Sequence, residues 1–492
     1  MKINLDDRSL FGNDAGEDED EDVLMSYFVN HYNFKQFLDP SQRMHIARGR
    51  KGTGKSALLV RFAHERRTDP KGQPAIVVHR TPASLVALKQ PPVTEDPITL
   101  QNYWVQAICG AINMQLARDI GFAWRDDQIA LIENAELAGY KGRNVVSSLL
   151  SRIVAKINLG GFIELSSAPR QPGDQEQLLQ RLRHEAELRR PVWFLMDDID
   201  TMFENTRAQR NSIAAFFAAC RELSHSKSGI GIRATVRTDV WALLGIAEYQ
   251  DKVDQYSIAM TWSASQQRDL LTHRVLAYIQ REYPGNPMAS WSVAEHGDQL
   301  IDQVFVQPMK WRNDAVPATH VVRVLAGGRP RWITQLCRMA GDNAAMKGEQ
   351  RIALHHIKQA MPVFGQRRLS DLYREHQYQF ADLRALIESF AAGPRNYTTD
   401  QLLERLGTGY LKRTPVERIP MVDGTPFTGP MQLARFLFMI GFFNGHNADY
   451  RGRAVPEFVS FEERPDLLQV ETNRDDGMTW EVLPAYRNVL HI

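Results

Sequence analysis

Apolar positions divide the chain into two regimes. Through its first half, short unbroken apolar runs alternate with stretches of helical periodicity. The runs Met44–Ala47, Ala75–His79, Val192–Met196, Gly231–Val236 and Gln255–Met260 have the length and continuity of strands buried on both faces of a parallel sheet. Between them, Ser56–Ala63, Leu100–Ile120, Asp127–Leu137, Asn144–Ile157 and Asp174–Arg189 read as helices, and Phe162–Ser166 as a short strand between glycines. An apolar-periodic stretch, Val23–Phe37, precedes the first strand. It follows the acidic run Glu17–Asp22, which reads as a solvated helix start. From Ser263 the pattern turns helical, with Arg268–Tyr278 amphipathic. Near the end, Phe380–Phe390, Thr398–Leu406 and Met431–Gly441 read as helices before the strand-like Glu457–Phe461 and Thr479–Leu483. The predicted fold class is α/β: a parallel sheet with helices on both faces, then a helical lid, then a small domain of helices and a β-hairpin. The expected boundaries are 1–260, 261–365 and 366–492.

The loop after the first run carries candidate chemistry. Gly49-Arg50-Lys51-Gly52-Thr53-Gly54-Lys55-Ser56 is an unbroken G-x-x-x-x-G-K-S between a predicted strand and a predicted helix. Glycines at those spacings let successive N–H groups point into one concavity around phosphates, and the helix start adds its positive dipole end. The cradle is expected to comprise Gly49, Gly52, Thr53, Gly54, Lys55, Ser56 and Ala57. Lys55 would reach the β- and γ-phosphates and Ser56 would ligate Mg²⁺.

A second signal follows the run Val192–Met196, which ends in Asp197-Asp198-Ile199-Asp200. A buried strand delivering carboxylates at its C-terminal edge sets them at the ligand crevice of such a sheet. Beside the phosphate loop this reads as a Walker B pattern, with Asp197 on the metal and Asp198 polarising the attacking water. Alone it would read equally as a strand end with a solvated turn. The run Gly231–Val236 ends in Arg237-Thr238-Asp239. Arg237 or Thr238 is a candidate γ-phosphate sensor, and an Arg237–Asp239 pair capping the next helix is the alternative.

Composition narrows the class. The 492 residues are 43% hydrophobic and 24% charged, with a formal net charge of +1. These are the proportions of a globular protein without a global basic field. The three cysteines, Cys109, Cys220 and Cys337, form no C-x-x-C. That spacing argues for a reducing compartment and against a disulfide frame or structural zinc. The start, Met1-Lys2-Ile3-Asn4-Leu5-Asp6-Asp7, is too acidic for a signal peptide, and no apolar run reaches membrane-spanning length. A cytoplasmic location without membrane association is expected.

Further on, Gly327-Gly328-Arg329-Pro330-Arg331 breaks one helix and starts another. With the phosphate loop, the Asp-Asp strand and the Arg-Thr-Asp strand, this string resembles the AAA+/STAND group of P-loop ATPases. The layout is particularly similar to the origin-recognition branch. The resemblance implies that Arg331, with Arg329 as runner-up, reaches the nucleotide from the lid as a second sensor; both could instead simply start a surface helix. A closer likeness is to a poorly characterised set of bacterial P-loop ATPases. It rests on Leu10–Glu19, Tyr27-Phe28-Val29, Gly49–Leu58, Val236–Asp239, Trp262-Ser263 and Tyr486–Leu490, and it suggests a role in defence or stress response. No arginine finger stands out among Arg207, Arg210 and Arg221.

The resemblance also implies a C-terminal winged helix. From Gln366 onward the chain has 15 Arg and Lys against 17 Asp and Glu, a net of −2, with only Lys412, Arg413 and Arg418 clustered. A DNA-reading module presents a basic face, so contact with a protein partner, self-association or holding the ATPase closed is favoured over nucleic acid. The expected function is a Mg²⁺-dependent ATP-hydrolysing switch gated by a protein partner. The alternative is an ATP-controlled DNA-binding initiator or loader. ATP is preferred over GTP because no Asn-Lys-x-Asp string occurs.

Overall fold

A computed structural model describes residues 1–14, 16–68, 74–86, 91–119, 175–182, 190–201, 203–226, 229–244, 250–311, 313–447, 458–469 and 474–492. The helices expected at Asp127–Leu137 and Asn144–Ile157, and the strand at Phe162–Ser166, lie outside them.

Five apolar runs form one sheet: β1 (Met44–Arg48), β2 (Ile76–Arg80), β3 (Val192–Met196), β4 (Ile230–Val236) and β5 (Ser257–Ala259). The order is β2-β3-β4-β1-β5, and every neighbouring pair is parallel. This is a P-loop α/β sheet, with the strand carrying Gly49 at its C-terminal end flanked by β4 and β5. Every residue of β3 and β4 is buried, as strands covered on both faces require.

Two short helices precede the sheet, α1 (Glu21–Tyr27) and α2 (Tyr32–Leu38), where one continuous stretch is expected from Val23 to Phe37. The chain breaks at Phe28, which is extended, and at His31, the extended N-cap of α2. The break lets the Phe28 and Phe34 rings pack at 5.6 Å. One sheet face is covered by α3 (Lys55–Arg67) and α2, the other by α4 (Pro97–Asp119) and α5 (Arg207–His225). After β4 comes α6 (Thr238–Leu244).

The second half begins with α7 (Ala264–Glu282), opened by a capping box in which the Ser263 and Gln266 side chains reciprocally satisfy backbone N–H groups. It continues through α8 (Val293–Val304), α9 (Ala318–Leu325), α10 (Pro330–Met346) and the long α11 (Leu354–His376). The expected boundary at 366 falls inside α11, because nothing between Gln366 and His376 stops a helix. The C-terminal part contains α12 (Leu383–Glu388), β6 (Asn396–Tyr397), α13 (Thr399–Arg405), α14 (Pro430–Met439), β7 (Phe443–His446), β8 (Phe458–Val459), β9 (Thr479–Val482) and α15 (Pro484–Leu490). Its antiparallel sheet runs β8-β7-β9-β6, the helix–strand–helix–helix–hairpin order of a winged helix. One continuous core joins it to α7–α11 and takes in Ile3, Leu5, Leu10 and Phe11. The first residues therefore pack with the second half rather than on the sheet.

A polar exception anchors the sheet. Arg233 of β4 is fully buried. Its guanidinium donates to the carbonyls of Phe37 (2.7 Å), Ile232 (2.9 Å), Asp39 (2.6 Å) and Gln42 (2.9 Å). It also lies over the rings of Phe62 (4.6 Å) and Trp193 (4.7 Å). Burial draws its pKa down to about 9, and carbonyl dipoles replace water around the cation. The side chain thereby ties α2 and the loop before β1 to the sheet.

The His31 ring packs tilted against Phe34, centroids 3.6 Å apart, and meets Trp262 edge-on at 5.2 Å. Burial pulls its pKa from 6.5 to about 4. The unfolded chain therefore takes up a proton below 6.5 that the fold refuses, so stability falls as pH drops from 6.5 toward 4. Between pH 7 and 5 this residue accounts for a loss of roughly 2 kcal/mol. Urea unfolding at both pH values should show His31→Phe losing less stability on acidification by that amount; an equal loss in both proteins would refute the assignment.

Candidate functional site

The site is built on the loop from β1 to α3. Gly52 and Gly54 sit at φ +83° and +95°, conformations that side chains with a Cβ adopt only under strain. At Gly52 there is also no room, since an added Cβ would meet the Arg331 Cβ at 3.0 Å. Gly54 is the N-cap of α3, whose first bond runs from Leu58 N–H to Gly54 O at 3.0 Å. The N–H groups of Lys55, Ser56 and Ala57 precede that bond and form the positive end of a thirteen-residue helix. Lys55 is 6% exposed, donates to Gly49 O (3.1 Å) and Arg50 O (3.4 Å), and lies 3.8 Å from Asp198 Oδ1. A buried ammonium held by two carbonyls and one carboxylate, facing helix N–H donors, suits a polyphosphate chelating a cation.

Carboxylates enter from the turn after β3. Asp198 stands at φ +46° and faces Lys55. Thr235, on neighbouring β4, organises the turn: its hydroxyl donates to Asp197 Oδ1 at 2.7 Å and accepts from Asp198 N–H at 2.8 Å. Sequence reasoning missed Thr235. Its only signal is a polar residue inside an apolar run, and the β3–β4 register, Met196 opposite Ala234, is what carries it to Asp197.

A cleft of about 940 Å³, its open mouth included, lies over this loop. Lys51, Gly52, Gly54, Lys55, Ser56 and Ala57 line one end, with Asp198 and Arg331 beside them. Leu24, Tyr27, Phe28, Val29, Phe34, Trp262 and Leu270 supply apolar wall, and Asn13, Asp14 and Arg274 line it as well. Cationic groups, helix N–H donors and aromatic rings in one cleft suit a nucleotide, whose phosphates and base need each of them. Trp262 is fixed by its indole N–H, which donates to Thr53 O at 2.9 Å. From the lid, Arg331 N–H donates to Gly52 O at 3.1 Å, which puts the start of α10 directly on the phosphate loop. The layout is that of a glycine-rich loop and a carboxylate turn meeting at the C-terminal edge of a parallel sheet, with the second half closing over them.

The other expected site residues are distributed as follows. Gly49 lies beneath the loop against Met260, and Thr53 donates to Arg50 O at 2.8 Å. Asp197 is bonded to Thr235 and is not among the residues lining the cleft, whereas Ser56 and Asp198 are. Arg329 does not line it; it is buried over the Trp332 ring at 4.0 Å. Arg237 does not line it either. Its Nε donates to Asp200 at 2.7 Å, and its other nitrogens face Asp239 and Glu375 at 3.5 Å. The pairing with Asp239 weighed from sequence is present, and a sensor contact has no geometric support. Thr238 is buried behind it at the start of α6. Of the finger candidates, Arg207 is exposed near Glu95, and Arg210 donates to Asn205 at 2.8 and 3.0 Å.

No family model matches the chain. Among curated proteins it is 20% identical over 434 residues to the "Putative transposon gamma-delta 80.3 kDa protein" of Escherichia coli (strain K12), covering 83% of this chain. It spans 58% of that protein's length. Solved structures similar to it include the Aeropyrum pernix ORC2 protein in its ADPNP-ADP complexes, at 11% identity and TM-score 0.42, covering 93% of this chain and 90% of that one. Pyrobaculum aerophilum Cdc6p gives 13% and 0.35 over 98% and 96%; Aeropyrum pernix ORC1 in complex with DNA gives 16% and 0.35 over 93% and 91%. These likenesses are loose, and the fold assignment rests on this chain's own strand order and loop. Among the described residues no helix is long and apolar enough to cross a membrane.

Thr235→Val removes both bonds to the carboxylate turn at nearly constant volume. Urea unfolding should report a loss of about 1–3 kcal/mol. A variant as stable as the parent would show that the hydroxyl does not hold the turn.

Proposed function

We propose that the chain binds and hydrolyses ATP with Mg²⁺ and uses the cycle to change the relation between its two halves. The observation that carries this reading is the convergence of Lys55, Ser56, Asp198 and Arg331 on one cleft, with residues of both halves in its wall. In this reading the backbone from Gly52 to Ala57 holds the phosphates and Lys55 bridges the β- and γ-phosphates. Ser56 would hold Mg²⁺, with Asp197 behind it through the oxygen that Thr235 does not take, and the ion would supply charge neutralisation at the phosphate oxygens. Asp198, the carboxylate at the cleft wall, orients the attacking water, and Arg331 links nucleotide state to the lid. The aromatic wall of Tyr27, Phe28, Phe34 and Trp262 takes the base.

For the output, action on DNA is better supported than gating by a protein partner or a defence role. The E. coli relative carries a transposon name, and Lys412, Arg413 and Arg418 are all exposed. Helix α14, the one a winged helix lays in the major groove, has no exposed position. Contact with DNA would therefore run through the loop between α13 and α14. Kinship with the bacterial P-loop ATPases named above belongs to this reading as well.

Calorimetry should show Lys55→Ala losing ATP affinity at least tenfold, and unchanged affinity would remove the phosphate-loop assignment. Asp198→Asn should keep binding while turnover falls by a factor of about a hundred, in line with loss of a positioned base; parental turnover would sink that role. Duplex DNA binding at low salt should weaken in Lys412→Ala/Arg413→Ala and fall with rising salt. If the parent binds no DNA at low salt, the DNA reading fails.

A further inference from the structure

A buried polar cluster lies where the carboxylate turn meets α11. Asp200, which closes the turn begun by Asp197 and Asp198, accepts from Arg237 through one oxygen, from N–H at 3.1 Å and from Nε at 2.7 Å. On its other side, Arg237 Nη1 faces the carbonyl of Glu375 at 3.3 Å and its carboxylate at 3.5 Å. Asp239 accepts from Gln379 Nε2 at 3.0 Å, and the Gln379 Oε1 lies 2.8 Å from His376 Nδ1. The Asp200 side chain is 1% exposed, and those of Arg237 and Glu375 are 11% and 10% exposed. Three carboxylates thus share one guanidinium out of water. Two belong to the sheet domain and one to the last turn of α11. Removing one partner of such a buried pair is costly, so the contacts hold their geometry firmly.

The turn is gripped twice from one strand. Thr235 of β4 and Arg237 just past its end, two residues apart, hold Asp197 and Asp198 at one end and Asp200 at the other. Thr235 bonds only within the sheet domain. Arg237 is the grip whose far side is fastened to the second half. Any displacement of the α11 terminus acts on this guanidinium, and through Asp200 on the strained residue Asp198, whose φ is +46°. The phosphate cradle makes no hydrogen bond to Asp200, Arg237, Asp239 or Glu375; Lys55 acts on Asp200 through its charge alone, and Lys51 and Arg331 share a small cavity wall with Glu375.

We propose that Arg237 is a positioning residue, coupling the end of α11 to the Asp197–Asp200 turn so that the C-terminal half sets the rate of the hydrolytic step without changing nucleotide affinity. This rests on the ATPase reading given above. The test uses the full chain with Glu375→Gln, Arg237→Lys and the double variant, measuring kcat, KM and the Kd of a fluorescent ATP analogue. Each single change should lower kcat about tenfold, equivalent to ~1.4 kcal/mol, with Kd and KM held within about twofold. The double variant should be no slower than the slower single one, because both changes break one connection. Unchanged kcat in Glu375→Gln, a rise in Kd matching the fall in kcat, or additive losses would overturn the proposal. Failure of the ATPase reading itself is separately visible, as absence of ATP binding by the parent.

Discussion

A strand buried on both faces leaves no water for its polar side chains, so each must find a partner within the protein or destabilise it. β4 carries two such side chains at alternate positions, Arg233 and Thr235, and Arg237 follows just past its end. Each has found a different partner. Arg233 collects four carbonyls from α2 and the segment before β1. Thr235 collects the carboxylate turn, and Arg237 reaches out of the domain to α11. One strand therefore fixes, in succession, the base of the sheet, the candidate catalytic carboxylates and the joint to the second half.

That joint has further contacts. Arg50, inside the phosphate loop, is ion-paired with Glu462 of the C-terminal domain, and a Cβ at Gly441 would strike its guanidinium. Gly424, at the tip of a short hairpin that pairs Met421–Val422 with Thr425–Pro426, packs on Asn205 and Arg210 at the start of α5. The C-terminal domain is thus applied to the sheet domain beside the phosphate loop and beside the carboxylate turn. Helix α14 is covered mainly from within its own domain, by α13, the turn of helix after it, and β7.

The phosphate loop was legible in the sequence because its function depends on local backbone geometry, which local spacing encodes. The parallel sheet was legible because strands buried on both faces are apolar throughout. Thr235 was not, since its role exists only through the register between β3 and β4. The partners of Arg237 were divided: Asp239 is near in sequence and could be weighed, while Glu375 is brought close only by the tertiary fold. The boundary drawn at 366 missed that α11 runs through it, even with Pro362 inside the helix. The packing of Ile3 and Leu5 with α7–α11 left no periodic trace, because so short a segment has no period to read.

The unbroken α11 has a mechanical consequence. Its 23 residues make a rod of about 35 Å at 1.5 Å per residue, rooted in the shared core of lid and C-terminal domain. Those two parts cannot bend against each other at 366. The second half is joined to the sheet domain covalently at two places: between Phe11 and α1, and between β5 and α7. Two covalent ties alone leave one rotation, about the line through them, and in the structure Arg50–Glu462 and Arg237–Glu375 hold it. The cleft is lined beside both ties, by Asn13 and Asp14 at one and by Trp262 at the other, so it lies at that line, where a rotation would turn its walls rather than part them.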